Sequence, residues 1–229
     1  KYLLTLQYSL VLIYILYSHW KFQGGNSNSI MLEMAHYSRI FVLKKISFSA
    51  EQRDICDWLD SLLVLEKPGI LDVYNLNKCS ASMSEDGYFE KSNILLYVRR
   101  TATRYIKNRE TIIDKLRQEN KDYVVVDANV GAMRWAHQCL LFMIAKVIIG
   151  VHGGGMWNAV RFMSTSQTML EIMPIGGPGD SKNLVVGHGA KYESLTCNNC
   201  TRQTKHIGDM NVDLFFKKMN YILDKDRKS

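Results

Sequence analysis

The chain has 229 residues, of which 47% are hydrophobic, and a formal net charge of +7. This length and apolar content allow a large buried core and argue against a disordered chain. The positive charge favours anionic ligands, but the basic residues follow no zinc-finger, basic-zipper or RNA-binding pattern, so we expect no nucleic acid partner.

The first part of the chain contains an uncharged stretch, Leu3–Trp20, flanked by Lys1 and Lys21. Its length of about 18 residues is near the lower limit for crossing a bilayer. A signal anchor and a buried segment of a larger fold both explain it, and a first residue other than Met is compatible with a fragment or a processed product. We therefore predict two regions, a hydrophobic segment with a linker over 1–38 and an α/β domain over 39–229.

Within the second region, helical spacing of apolar residues predicts a helix over 49–66, and polar residues over 78–92 indicate a loop. Beyond this loop, strands and helices alternate. Short apolar runs predict strands over 93–98, 123–126, 147–151, 168–172 and 192–195. Amphipathic or strongly apolar stretches predict helices over 108–120, 132–145, 157–163 and 212–223. The alternation predicts a Rossmann-like parallel sheet with helices on both faces.

A glycine-rich loop follows the predicted strand 147–151, at the sheet edge where ligands bind in such folds. Glycines let the backbone approach a ligand closely, and the next helix presents free N–H groups with partial positive charge. A histidine in this loop can donate a hydrogen bond or transfer a proton, and an asparagine can anchor the loop or cap the helix. The competing interpretation is a tight turn without a ligand. The candidate residues for anion binding are His152, Gly153, Gly154, Gly155 and Asn158.

Charged residues follow other strands at the same edge. Arg100 and Arg104 come after 93–98, and a guanidinium group suits the oxygens of a diphosphate. Glu171 ends the strand predicted over 168–172, where a carboxylate can accept both hydroxyls of a ribose or pair with an arginine. Asp127 and Asp86 are candidates for a general base, and each is also explained as a surface carboxylate.

The cysteines indicate no zinc site, because Cys197–Cys200 is a lone CxxC pair without a second pair of ligands. A local disulfide or free thiols explain this pair, which lies in a polar, loop-like segment. Cys139 lies in an apolar run, which predicts a buried thiol. The sequence Asn199-Cys200-Thr201 makes Asn199 a candidate for glycosylation.

Three segments in this order resemble glycosyltransferase family 61. In the stretch Arg99–Arg109, Arg100 and Arg104 fall on the two arginines of the family pattern, while Asn108 falls on its asparagine. Arg99 stands in place of a serine, and Arg109 in place of an acidic residue. The stretch Ala145–Asn158 follows the family's A-x-V-I-I-G-x-H-G-A-G-L-x-N pattern, and Glu171–Pro174 follows its Glu-x-x-Pro. The resemblance covers roughly residues 40–200.

This family includes plant xylosyltransferases and EGF-domain O-GlcNAc transferases, and the resemblance implies a hexosyl- or pentosyltransferase. The implied domain is the carboxyl-terminal, donor-binding half of a GT-B glycosyltransferase. The implied reaction is an inverting, metal-independent transfer of GlcNAc, xylose or arabinose from a UDP-sugar to a protein or polysaccharide hydroxyl. The implied donor-site residues are Arg100, Arg104, His152, Gly153, Gly154, Gly155, Asn158 and Glu171, with His152 as the catalytic candidate.

The resemblance implies no cofactor beyond the UDP-sugar, which is the donor substrate. It also implies a location in the lumen of the Golgi or endoplasmic reticulum, with a single-pass type II anchor if Leu3–Trp20 spans the membrane. A complete family member needs an amino-terminal domain of its own, and residues 1–40 are too few for one. The alternative is therefore a truncated or catalytically inactive module that binds a nucleotide sugar.

Overall fold

The computed structural model describes residues 55–83, 89–101, 105–175, 181–201 and 206–227. Within these ranges the helices are α1 (Ile55–Leu65), α2 (Arg109–Glu119), α3 (Trp135–Ile144), α4 (Gly154–Val160), α5 (Lys182–Gly187) and α6 (Val212–Arg227). The strands are β1 (Leu71–Tyr74), β2 (Ala81–Met83), β3 (Phe89–Ser92), β4 (Ile94–Val98), β5 (Tyr105–Ile106), β6 (Val124–Ala128), β7 (Val147–Val151), β8 (Thr168–Ile175), β9 (Lys191–Thr201) and β10 (His206–Ile207).

The main sheet has six strands in the order β1-β6-β4-β7-β8-β9. Strands β6, β4, β7, β8 and β9 are parallel to their neighbours, while the edge strand β1 runs antiparallel to β6. The prediction of a Rossmann-like parallel sheet is therefore confirmed for these five strands, while the antiparallel strand β1 was not predicted. Two small pairs, β2 with β3 and β5 with β10, lie outside this sheet.

The three central strands are buried along their whole length because both faces of the sheet are covered, and β6 is apolar except for Asp127. Every residue of β4, β6 and β7 is buried. Side chains alternate between the faces of a strand. Residues Leu95, Val125 and Ile149 join one core cluster with apolar residues of α2 and α6. The intervening residues, which include Leu96, Val126 and Ile148, are also completely buried.

The order of the strands reverses between β4 and β7. From β4 the chain passes through α2 to β6 on one side, and it then returns through α3 to β7 on the other side. In open α/β sheets, the point at which the strand order reverses is where ligands bind. The residues that follow β4 and β7 are those that the sequence analysis selected.

Several elements differ from the sequence prediction. The stretch 78–92 contains β2 and β3, so it is not simply a loop. Strand β8 continues past Met173-Pro174 to Ile175, because β9 pairs with it along that length. Strand β9 itself is longer than predicted and includes the CxxC pair, which therefore lies in a strand and not in a loop.

The predicted boundary between 1–38 and 39–229 falls outside the described residues, as does the stretch Leu3–Trp20. The domain division and the anchor therefore stay predictions. Among the helices that the structure describes, none is both long enough and apolar enough to cross a membrane.

Candidate functional site

The glycine loop leaves the sheet directly after β7. The backbone N–H of His152 donates to the carbonyl of Ile172 at 2.9 Å, which extends the pairing with β8 by one residue. Gly153 then adopts φ 141° and ψ −168°, a backbone conformation that residues with a Cβ rarely adopt. Helix α4 begins at Gly154, three residues before the predicted start. Two of the glycines therefore lie in its first turn, where backbone N–H groups lack partners within the helix.

Close packing places this loop against the end of β4. A Cβ on Gly155 would lie 3.2 Å from Val98 Cγ1 and 3.5 Å from Val130 Cγ2, so glycine permits the close approach of α4 to the sheet. Gly154, in contrast, is exposed, and a Cβ there would meet no atom within 4 Å. Gly155 thus serves the packing of the loop, while Gly154 presents bare backbone to the outside.

His152 is held by a buried carboxylate. Its Nδ1 lies 2.9 Å from Glu171 Oε1, and the two side chains are 5% and 0% exposed. Because a carboxylate accepts hydrogen bonds, this contact assigns a proton to Nδ1. Any contact between the ring and a ligand is therefore made through Nε2.

Glu171 is bonded through both of its carboxylate oxygens. Ser181 donates its backbone N–H to Oε2 at 3.0 Å and its hydroxyl to Oε1 at 2.9 Å. The hydroxyl of Tyr192 donates to Oε2 at 2.8 Å. Sequence analysis missed these two partners, which come from the start of α5 and from β9. Glu171 lies within β8, not at its end, and its contact with a ribose stays a prediction.

The remaining predicted residues are placed as follows. Arg100 directly follows β4 and is half-buried, and Asn158 lies in α4 and is also half-buried. Arg104 and the alternative base Asp86 lie outside the described residues. Asn108, directly before α2, is bonded to the segment before α6, because its side chain accepts from the N–H of Met210 at 2.9 Å and donates to the carbonyl of Met210 at 2.8 Å. Asn199 lies in β9, and its glycosylation stays a prediction.

Asp127 is not a surface carboxylate, which corrects one of the two interpretations given above. Its side chain is 3% exposed and receives Arg109 Nη1 on Oδ2 at 2.8 Å, while Arg99 Nη1 lies 3.7 Å from the same oxygen. Burial raises the pKa of Asp127 to about 6, although Arg99 and Arg109 both act to lower it. Burial, together with the nearby Asp127, also raises the pKa of Tyr97 on the adjacent strand.

Disulfides occur in the described part of the chain. Cys56 on α1 is bonded to Cys79, and Cys197 is also disulfide-bonded. Cys139 is a buried free thiol, and its burial raises its pKa to about 12. The Cys56–Cys79 bond was not predicted, because nothing in the spacing of the two cysteines marks them as neighbours. Among the described residues, no group of three His, Cys, Asp or Glu side chains could hold a metal ion.

Comparison with known proteins gives one family. Residues 16–170 match the model described as Glycosyltransferase 61, a match that spans more than half of the chain and includes β4, β6, β7 and the glycine loop. No curated protein matches significantly. Among solved structures, the crystal structure of a diflavin flavoprotein A3 from Nostoc sp. is similar at 12% identity and a TM-score of 0.40, covering 58% of this chain and 94% of that one.

Proposed function

Because the chain belongs to glycosyltransferase family 61, and is a glycosyltransferase by that membership, we propose that it transfers a sugar from a UDP-sugar to a protein or polysaccharide hydroxyl. The proposed site is the crevice between the carboxyl ends of β4 and β7. The sugar, which we propose to be GlcNAc, xylose or arabinose, and the inverting, metal-independent course follow from the resemblance noted in the sequence.

One observation carries this proposal. The loop that contains His152 and the glycines packs on Val98, the last residue of β4, so that it lies beside the strand end from which Arg100 follows. An arginine, a histidine and bare backbone amides around one crevice suit the oxygens of a diphosphate. The reversal of strand order at this point supports the same location.

The proposed reaction is a single displacement. The acceptor oxygen attacks the anomeric carbon, the bond from that carbon to the diphosphate oxygen breaks, and its electron pair leaves with UDP. The acceptor proton passes to a base that we do not assign. Because negative charge develops on the leaving diphosphate, groups that donate to it lower the barrier. In our proposal these groups are Arg100, His152 and the N–H groups of the glycine loop, with Arg104 as a further predicted contact.

His152 acts through Nε2 in this proposal, because its Nδ1 faces Glu171. The hydrogen bond between Nδ1 and a buried carboxylate orients the ring, so that in the proposed complex Nε2 faces a phosphate oxygen. Glu171 thereby acts on the ligand through His152. The bonds from Ser181 and Tyr192 fix the carboxylate in turn. This role explains the burial of Glu171 better than a direct contact with ribose.

The test is binding of UDP, measured by calorimetry with the whole chain. We expect R100A and H152A each to weaken binding by about 1–3 kcal/mol, the range for charge-assisted contacts. R161A is the matched control, because Arg161 is exposed and follows the end of α4, away from the loop. Unchanged UDP affinity in both R100A and H152A would contradict the site.

Transfer itself requires a second measurement. Release of UDP from UDP-GlcNAc, UDP-xylose and UDP-arabinose, in the presence of peptide or xylan acceptors, identifies the donor. UDP binding without turnover of any donor would favour the second candidate, a module that binds a nucleotide sugar without catalysis. This candidate also agrees with the resemblance, in which Arg109 replaces the family's acidic residue.

We also propose that the protein works in the secretory pathway, in the lumen of the Golgi or endoplasmic reticulum. The Cys56–Cys79 bond and the disulfide at Cys197 agree with an oxidising compartment. The type II anchor over Leu3–Trp20 and glycosylation at Asn199 belong to this proposal. A shift in mobility after treatment with an endoglycosidase, absent in N199Q, would test the last point.

A further inference from the structure

We propose that Asp127 is a positioning residue that fixes the end of β4, and through it Arg100, for binding of a nucleoside diphosphate. This inference rests on the proposed function, because it assumes that Arg100 contacts the diphosphate. Asp127 does not touch the ligand in this proposal. It acts through Arg99, the residue directly before Arg100, and through Arg109 at the start of α2.

The contacts of Asp127 join both ends of the segment that contains Arg100. Its Oδ2 accepts from Arg109 Nη1 at 2.8 Å, and Arg99 Nη1 lies 3.7 Å from it. Since α2 begins at Arg109 and β4 ends immediately before Arg99, one buried carboxylate is shared by the two elements that flank this segment. The length of chain between them is therefore fixed at both ends.

Arg99 is held in place by further contacts. Its Nη2 donates to the carbonyls of Gly69 and Ile70 at 2.7 and 2.9 Å, and its Nη1 donates to Asp72 at 3.3 Å. Its backbone N–H donates to the carbonyl of Ala128 at 2.8 Å, which extends the pairing of β4 with β6. Arg99 is thus part of the scaffold, and its position sets where the chain continues into Arg100.

Because side chains alternate between the two faces of a strand, Arg99 can be paired with Asp127 while Arg100 faces the proposed ligand site. Asp127 pairs in register with Tyr97, and Tyr97 belongs to the core face that includes residues of α2. Arg99 is two residues beyond Tyr97 and reaches the same face, as its contact with Asp127 shows. In our proposal Arg100 continues the alternation from Val98, which places it on the side where Val98 receives the glycine loop.

The buried carboxylate of Asp127 costs folding free energy, so stability alone does not explain its presence. Within the described residues, Asp127 Oδ1 and Arg99 Nε are buried without a hydrogen-bond partner. Burial raises the pKa of Asp127, and the carboxylates of Asp72 and Glu110 raise it further, against the lowering by Arg99 and Arg109. The charged form is therefore less favourable in the folded protein than in the unfolded chain. A buried charge with one oxygen left without a hydrogen-bond partner, close to the proposed ligand site, points to a functional role.

The variant D127N separates this role from a structural one. It keeps the shape of the side chain and removes the charge that holds both arginines. We expect UDP affinity to fall by about fivefold or more, since misplacement of a binding group is costly even when the group remains. We expect the melting temperature without ligand not to fall, because the variant also removes a buried charge. The matched control is D114N, which breaks the exposed Asp114–Arg117 pair on α2.

Three outcomes are distinguishable. Weaker UDP binding by D127N with an unchanged D114N supports the proposal. UDP affinity of D127N within twofold of the unsubstituted protein overturns it. If the unsubstituted protein does not bind UDP, the proposed function fails before this inference is reached.

A second variant covers the case in which D127N does not fold. R109Q leaves Asp127 paired with Arg99 and releases only the helix end of the segment. We expect UDP affinity to fall here as well, and unchanged affinity would overturn the proposal. Where both variants fold, the double variant should bind UDP no more weakly than the weaker of the two, because both changes release the same contact.

Discussion

His152 Nδ1 and Glu171 Oε1 lie 2.9 Å apart, and Glu171 is completely buried on the neighbouring strand. The two residues are 19 positions apart in the sequence. The parallel pairing of β7 with β8 brings them together, since Gly150 is in register with Glu171 and His152 continues from the end of β7. The histidine of the glycine loop is therefore oriented by a residue of the neighbouring strand.

The first prediction concerns the stability that this carboxylate supplies. In E171Q, an amide group replaces one of the oxygens that accept four hydrogen bonds. An amide nitrogen in place of Oε2 would face the N–H of Ser181, which cannot reorient. An amide nitrogen in place of Oε1 would require the His152 ring to change tautomer and the Ser181 hydroxyl to rotate. We expect the free energy of unfolding to fall by about 1–3 kcal/mol, measured by denaturant titration.

A neighbouring residue supplies the control for E171Q. Glu193 on β9 is partly exposed and pairs with Lys218 at 3.0 Å. E193Q should change stability by less than about 1 kcal/mol, as is usual for surface ion pairs. Equal stability of E171Q and the unsubstituted protein would show that the buried network is not formed.

The second prediction contrasts two adjacent glycines. G153A places a Cβ on a residue with φ 141° and should cost about 1–3 kcal/mol of stability. G154A adds a methyl group in open space within the first helical turn, so we expect stability to be kept or slightly raised. If the ligand approaches the bare backbone at Gly154, G154A should nevertheless weaken UDP binding, measured by calorimetry. Full UDP affinity in G154A would mean that the ligand does not approach this residue.

The sheet and the glycine loop could be predicted because their signals are local. The apolar run Val147–Val151 forms β7 with those bounds, and the glycines that follow it mark the turn. The partners of the site residues could not be predicted in this way. Ser181 and Tyr192 are ordinary polar residues in the sequence, and only the positions of α5 and β9 bring them to Glu171.

The burial of Asp127 also could not be predicted from the sequence. A carboxylate at the end of an apolar strand is predicted to be the first exposed residue, because charged side chains are mostly found at the surface. The structure buries it, since Arg99 and Arg109 approach from different elements and supply opposite charge. The strand could have been extended to Ala128 from the sequence only if these partners had been known.

The third prediction concerns the Cys56–Cys79 disulfide, which joins α1 to the segment after β1. The bonded cysteines are 23 positions apart. Closing a loop of this length restricts the unfolded chain, so we expect the double variant C56A/C79A to lose about 3 kcal/mol of unfolding free energy. The measurement is chemical denaturation without reductant. A double variant as stable as the unsubstituted protein would argue against the bond.

The fourth prediction follows from the pKa of Asp127. This pKa is raised from 3.8 to about 6 on folding. A carboxyl group with a raised pKa in the folded state binds its proton more tightly there than in the unfolded chain. Its contribution to stability is therefore full below the unfolded pKa and is lost as the pH rises through about 6. The difference in unfolding free energy, unsubstituted protein minus D127N, should fall by about 2 kcal/mol between roughly pH 4.5 and pH 7.5.

Other groups titrate in this range, and taking the difference between the two proteins removes their contribution where they are unaffected by Asp127. D114N is again the control, because the side chain of Asp114 is 60% exposed. A difference for D127N that rises with pH would mean that Arg99 and Arg109 lower the pKa of Asp127 by more than burial raises it. In that case the ion pairs of Asp127 with Arg99 and Arg109 would stabilise the fold. D127N would then lower the free energy of unfolding, and this loss would come before any effect on UDP affinity.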